Sequence, residues 1–256
     1  MNEKELITYY NKFNEDKRLT TAHGQVEFLT SIKYIEKYLK KGDKIIDIGA
    51  GTGAYSIYFY DKGYDVTAVE LVKHNLRIIE KKRPDLKTYN GNALNLSKYN
   101  DNSYDIVLIF GPMYHLISTD DKIKSLMEAK RIVKPNGYIF ISYCMNEYAV
   151  ITHGIKEGFL TESIKKKELD ESFKIISKPK DLYSFVRIED IDLINNKSKV
   201  KRVKILSQDG PTEYLKKEIN KMDKDTFDIY LKYHFSTCER KELLGAGRHI
   251  LDIVQK

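Results

Sequence analysis

Lys44-Ile-Ile-Asp47-Ile-Gly49-Ala-Gly51-Thr-Gly53-Ala54 joins a short apolar run, KIIDIG (Lys44–Gly49), to a segment of helical character. Glycines at a strand-to-helix turn have a physical purpose: side chains there would block the tight turn and keep the backbone away from a ligand. By itself the loop is ambiguous. Gly49, Gly51 and Ala54 also satisfy the GxGxxG/A pattern of dinucleotide-binding turns, and a glycine cluster can be only a turn.

Outward from the loop, β-rich apolar runs recur at DVTAVE (Asp65–Glu70), KTYN (Lys87–Asn90), YDIVLIF (Tyr104–Phe110) and YIFISY (Tyr138–Tyr143). Near-continuous apolar runs such as IVLIF suit strands buried on both faces, which requires helices on either side of a parallel sheet. Ile123, Leu126, Met127, Ala129 and Val133 keep the spacing of a crossover helix, and Lys134-Pro135-Asn136-Gly137 then predicts a breaker and a turn. Upstream, Val26, Phe28, Leu29, Ile32, Ile35 and Leu39 predict an amphipathic helix that packs on the sheet and ends at Gly42. The stretch before it, Leu6 to Thr21, has Tyr9, Tyr10 and Phe13 but no long apolar face, as a lid would. Met145 to Lys180 interrupts the strand–helix rhythm with mostly helical composition, and strands resume only at Arg202–Leu206 and His249–Val254. The expected fold is α/β, a doubly wound, seven-stranded, mainly parallel sheet. Its expected parts are a lid and helix (1–42), a ligand-binding core (43–144), an inserted helical cap that encloses the acceptor (145–182) and a segment completing the sheet (183–256).

With 256 residues, 41% hydrophobic and 32% charged, the chain can bury the core of one large domain, and general disorder is excluded. The net charge of +7 is spread among interleaved acidic residues, a weak footprint for nucleic acid. The densest basic run, Lys197 to Lys204, is broken by Val200 and Val203 and reads as a solvated face rather than a contact for an acidic partner. No stretch approaches the ~18 apolar residues of a spanning helix, and MNEKELITYY lacks the layout of a signal peptide. Cys144 and Cys238 are far apart, without CxxC or HxxxH companions, so neither a disulfide framework nor a zinc site is expected. A cytoplasmic protein without membrane or metal is the expectation.

Three features narrow the ligand. Asp47 puts a negative charge at the mouth of the loop, which repels a pyrophosphate but suits a ligand carrying an ammonium and a sulfonium. Asn90-Gly91-Asn92-Ala93 follows the third strand, where an adenine edge can be read, and Glu70 ends the second strand, where a ribose diol would hydrogen-bond. Finally, two late strands close the chain in place of the second βαβαβ half of a dinucleotide fold.

DIGAGTG, followed by VTAVE and GNA, resembles the class I S-adenosylmethionine-dependent methyltransferases over roughly Lys44 to Tyr143. YDIVLIFGPMYHL (Tyr104–Leu116) is similar to the fourth-strand motif of their small-molecule branch. Arg18-Leu19 with Gln25-Val-Glu-Phe28, and YHFSTCERKELLGAGRHIL (Tyr233–Leu251), resemble a bacterial subfamily of methyltransferase-domain proteins. The resemblance implies S-adenosylmethionine as cofactor. Gly49, Gly51 and Gly53 would pass the backbone under its methionine part, and Asp47 would hold the ammonium. Glu70 would take the ribose hydroxyls, with Leu71 against adenine or simply in the core. Asn92 and the Ala93 amide would read the base, and Phe110 and Gly111 would border the methionine moiety and the substrate entrance. Arg18 could bridge the cofactor carboxylate from the lid, or remain a solvated charge.

Methyl transfer is an in-line displacement, so alignment and exclusion of water matter most. If the acceptor must lose a proton, His115, just past the fourth strand, is placed as the base with Tyr114 beside it; the alternative is that both pack at a loop-to-helix junction. On the late helix, His234 and Cys238 are four apart with Phe227, Tyr230, Leu231 and Phe235 on the same face, as core or as pocket lining; two ligands do not make a metal site. The expected activity is methyl transfer to a small molecule. The alternatives are an RNA or protein methyltransferase and a binding module without catalysis.

Overall fold

An apolar run has no polar face to offer solvent, so Ile45, Ile46 and Ile48 of β1 (Lys44–Ile48) need cover on both sides. They find it in the middle of a seven-stranded sheet formed with β2 (Asp65–Glu70), β3 (Lys87–Asn90), β4 (Tyr104–Ile109), β5 (Val133–Cys144), β6 (Lys201–Ser207) and β7 (His249–Gln255). The strand order is β3-β2-β1-β4-β5-β7-β6. Strands β1 to β5 pair in parallel, and β7 is antiparallel to both of its neighbours. This is the doubly wound, mainly parallel sheet expected from the sequence. The computed structural model describes residues 3–12 and 15–256; Phe13 of the expected lid lies outside the described residues.

Helix α1 (Glu3–Tyr10) and a short 3-10 turn (Glu15–Lys17) precede α2 (Ala22–Glu36). Helices α3 (Ala54–Asp61) and α4 (Lys73–Lys82) follow β1 and β2, α5 (Pro112–His115) is one turn after β4, and α6 (Thr119–Ile132) leads into β5. Between β5 and β6 come α7 (Asn146–Ala149), a π-helical stretch (Val150–Lys156), α8 (Leu160–Lys165) and α9 (Ile188–Ser198). Two more, α10 (Lys216–Ile219) and α11 (Lys224–Thr237), lie between β6 and β7.

Alternate residues of each strand feed opposite cores. Ile45, Ile106 and Leu108 meet Ile32 and Ile35 of α2 and Phe59 of α3, whereas Ile46, Val107 and Ile109 meet Leu126 and Ile132 of α6 and Ile191 of α9. Each such buried side chain stabilises by roughly 1.5–3 kcal/mol. The predicted helix before β1 therefore does pack on the sheet.

Two expectations are corrected. The breaker Lys134–Gly137 does not precede the fifth strand but lies inside it: Tyr104 pairs with Val133 and Ile106 with Tyr138, so the intervening residues bulge out, with Asn136 at φ 65°. Helix in the inserted segment ends at Lys165. Beyond it the Asp170 carboxylate accepts from the Ser172 and Lys174 amides at 2.8 and 2.9 Å, a local turn that competes with helix.

The basic run 197–204 is divided between the end of α9 and β6, and two of its charges, Arg202 and Lys204, find carboxylates. Arg202 Nε donates to Asp252 at 2.6 Å and its guanidinium also pairs with Asp192, while Lys204 pairs with Glu239 at 2.6 Å. Among the described residues no helix is long and apolar enough to cross a membrane.

Candidate active site

A cavity of about 420 Å³ opens at the carboxyl ends of β1, β2 and β4 and past the end of β3, where a parallel sheet splays its loops apart. Asp47, Gly49, Gly51, Glu70, Leu71, Asn92, Ala93, Phe110, Gly111, Tyr114, His115 and Arg18 all line it. Of the residues singled out in the sequence as cofactor-binding or catalytic, Gly53 alone is not among the lining. Gly53 sits at the start of α3 with φ 87°, and a Cβ there would come within 2.9 Å of Ile79 Cγ1, so it is glycine for its backbone conformation and its approach to α4.

The loop is held by a carboxylate. Glu70 accepts from the Gly51 amide through Oε2 and from the Val72 amide through Oε1, both at 2.7 Å, which ties the glycine turn to the end of β2. Gly49 is pressed against the turn after β4, where a Cβ would lie 2.5 Å from Pro112 Cδ. Asp47 is buried and accepts from Ser56 Oγ at 2.6 Å. Burial pushes its carboxyl up to about 6, with Ser56 only partly offsetting this. Among the described residues no cation pairs with this carboxylate. Nearby in the cavity wall, Asn75 Oδ1 is a buried acceptor with no hydrogen-bond partner among the described residues.

The lid closes the cavity with Leu6, which is buried, and with Tyr10 and Leu19. Glu3 takes the Asn92 side-chain amide, Asp16 pairs with Lys82, and Tyr10 Oη lies 2.8 Å from His115 Nε2. Asn92 Oδ1 also accepts from the Leu94 amide at 2.9 Å, so the side chain already fixes its own turn. None of residues 145–182 lines this cavity; the contact of the inserted segment here is the Leu182 carbonyl, 2.8 Å from His115 Nδ1.

That contact bears on the role of His115. The ring is buried, both nitrogens are engaged, and desolvation pushes it down to about 4 despite the Leu182 bond. Tyr114 packs its ring 4.8 Å from that of His115.

Residues 46–141 match the family described as a methyltransferase domain. Those residues carry a methyltransferase domain. Its cofactor is S-adenosylmethionine, and the cavity suits it: among the described residues Asp47 has no cation beside it and Asn75 Oδ1 no donor. A demethylmenaquinone methyltransferase of Paenarthrobacter aurescens is 35% identical over 104 residues, 41% of this chain and 40% of that one. The ribosomal RNA small subunit methyltransferase G of Mycoplasmopsis pulmonis is 26% identical over 54% of this chain and 63% of that one. The chain thus spans about two fifths of the length of the first curated relatives it matches. A crystal structure of a Thermotoga maritima S-adenosylmethionine-dependent methyltransferase, described as a possible histamine N-methyltransferase, superposes with a TM-score of 0.60 at 21% identity, covering 97% of both chains.

Beside the methyltransferase domain's first cavity lies a second, of about 580 Å³; Tyr10, Arg18 and Tyr114 line both. Its floor is a charge network absent from the sequence reading. Arg18 donates to Glu27 at 2.7 Å, and His249 Nδ1 lies 2.8 Å from Asp209 and 3.4 Å from Glu27. Burial opposes the Glu27 charge, but Arg18, His249 and Arg248 outweigh it and hold the carboxyl at about 2. Burial likewise opposes the His249 charge, and the facing carboxylates overcome it, raising the ring to about 10. Glu27, Asp209 and His249 offer ligand atoms within 4.8 Å of one another, yet a guanidinium and a ring proton already meet their charge. A signal was present: Glu27 interrupts the apolar spacing between Val26 and Phe28. His234 and Cys238 are buried away from both cavities; burial pushes His234 down to about 4, and Cys238 Sγ lies 3.5 Å from Tyr34 Oη.

Proposed function

We propose that the protein transfers the methyl group of S-adenosylmethionine to a small-molecule acceptor in the cytosol. The observation carrying this reading is that two cavities adjoin at Tyr10, Arg18 and Tyr114, the first with the buried carboxylates Asp47 and Glu70 and the second covered by the lid and by Tyr183. Enclosure suits a small acceptor better than a nucleic acid or protein surface, which needs an open rim. Two buried free thiols, Cys144 and Cys238, accord with a reducing compartment.

When bound, the cofactor supplies a methyl carbon activated by the positive sulfur beside it. Asp47 would take the ammonium, which supplies a cation for its buried charge. Glu70, which also holds the Gly51 and Val72 amides, would receive the ribose hydroxyls. Leu71 would pack on adenine, Asn92 and the Ala93 amide would read the base, and Arg18, now on Glu27, would hold the cofactor carboxylate. Phe110 and Gly111 border the passage to the acceptor. Leu6, Tyr10 and Leu19 exclude water, and neutral His115 fixes the Tyr10 hydroxyl at the boundary between the cavities. His115 and Tyr114 thus position the acceptor end of the site.

Calorimetry with S-adenosylhomocysteine and with NAD, followed by an assay for S-adenosylhomocysteine release, tests the reading. S-adenosylhomocysteine should bind and NAD should not, and a pool of small metabolites should support turnover. Turnover on RNA or protein fractions alone would reverse the acceptor class.

A further inference from the structure

Arg248 stands at the head of β7, where the chain enters the sheet beside the second cavity. Its side chain is only 26% exposed. Among the described residues the one carboxylate within ion-pair range is Glu213, at 3.5 Å, and no hydrogen bond reaches the guanidinium; the Tyr148 ring centroid is 5.8 Å away. A guanidinium carries five donors in a planar fork that matches a carboxylate or phosphate. Holding such a group largely out of water with its donors unfilled is costly unless a ligand fills them.

The remaining charges of the cavity point the same way. Glu27 is matched by Arg18 and His249, and Glu213 lies between Arg248 and His23, the latter at 3.8 Å. Lys17 and Lys216 stand at the rim. A cationic acceptor would meet carboxylates already paired, whereas an anion meets a fork that has one carboxylate at 3.5 Å and, among the described residues, no hydrogen bond to its donors. Tyr9, Tyr10, Tyr114 and Tyr183 form much of the wall and offer flat faces rather than further charges.

We propose that the second cavity seats the methyl acceptor and that the acceptor carries an anionic group, a carboxylate or a phosphate, held in the fork of Arg248. Its flat apolar body then lies among the tyrosine rings, with the nucleophilic end toward Tyr10 and Tyr114, where the cavities adjoin. This rests on the methyl-transfer reading above.

The test uses the full chain saturated with S-adenosylhomocysteine, with benzoate, benzamide, benzylamine and inorganic phosphate as probes in calorimetric titrations. Benzoate or phosphate should bind at least about tenfold more tightly than benzamide or benzylamine. Arg248→Met should remove that preference while leaving S-adenosylhomocysteine affinity within about twofold, and Arg248→Lys should retain part of it, showing that the charge and not the fold was lost. Whichever of benzoate and phosphate binds more tightly identifies the anionic group. Equal binding of benzamide, tighter binding of benzylamine, or an unchanged preference in Arg248→Met overturns the proposal. Failure of S-adenosylhomocysteine to bind the unmutated protein, measured first, would bring down the methyl-transfer reading and this proposal together, and so is distinguished from failure of the anion site alone.

Discussion

Tyr10 donates its hydroxyl proton to His115. The Leu182 carbonyl, 2.8 Å from Nδ1, can only accept, so Nδ1 carries the ring proton and Nε2 presents a lone pair to Tyr10 Oη, 2.8 Å away. One imidazole therefore joins the lid helix α1, the turn after β4 and the end of the inserted segment.

If His115 acts through Tyr10, Tyr10→Phe and His115→Ala should each lower methyl transfer about tenfold, leave S-adenosylhomocysteine affinity within about threefold, and cost no more together than apart. A loss of about 100-fold or more in His115→Ala, with Tyr10→Phe unaffected, would restore His115 as the base.

The same ring makes stability depend on pH. Its folded pKa, about 4, lies below the ordinary 6.5, so between these values the unfolded chain holds more protons and stability falls as the pH falls. The contribution is complete above pH 6.5, and about 2 kcal/mol of it is lost between pH 7 and pH 5. Urea unfolding of His115→Asn should show a correspondingly shallower decline over that interval.

Asp47 imposes a different pH dependence, on the cofactor. Its carboxyl is raised to about 6 by burial, and an ammonium bound beside it lowers that value again, so binding releases a proton below pH 6. S-adenosylhomocysteine affinity should fall as the pH drops below 6, by at most about tenfold per unit. Asp47→Asn should bind more weakly at pH 7.5 and show no such slope in calorimetry.

Removing Arg18 would leave Glu27, whose side chain is 10% exposed, with His249 at 3.4 Å and the weaker influence of Arg248. Arg18→Met should destabilise the cofactor-free protein by about 2–4 kcal/mol in denaturant unfolding, below the full cost of an orphaned buried charge because His249 remains. Arg18→Met with Glu27→Gln should recover most of that loss.

The glycine loop separates steric from conformational need. Gly49 and Gly63 both have positive φ, 76° and 86°, but a Cβ at Gly49 meets Pro112 whereas one at Gly63 meets nothing within 4 Å. Gly63→Ala should cost about 1 kcal/mol, and Gly49→Ala at least about 2 kcal/mol more together with loss of cofactor binding, read by thermal melting and calorimetry.

The sheet and the cofactor cavity were legible from the sequence because their determinants are local. Apolar runs such as Ile106–Ile109 can be buried only as central strands, and a glycine turn at a strand end exposes backbone wherever it occurs. The bulge at Lys134–Gly137 was not legible as such, since a breaker tetrapeptide reads the same whether it ends a strand or loops out of one. The chemistry of single side chains was decided only by the tertiary structure. Whether His115 is a base depends on its desolvation and on a carbonyl 67 residues away, and Arg18, Glu27, Asp209 and His249 become one network only when α2, the loop after β6 and the head of β7 converge. A pKa and an ion pair are properties of distance and dielectric between groups, and the order of residues along the chain specifies neither until the fold has brought them together.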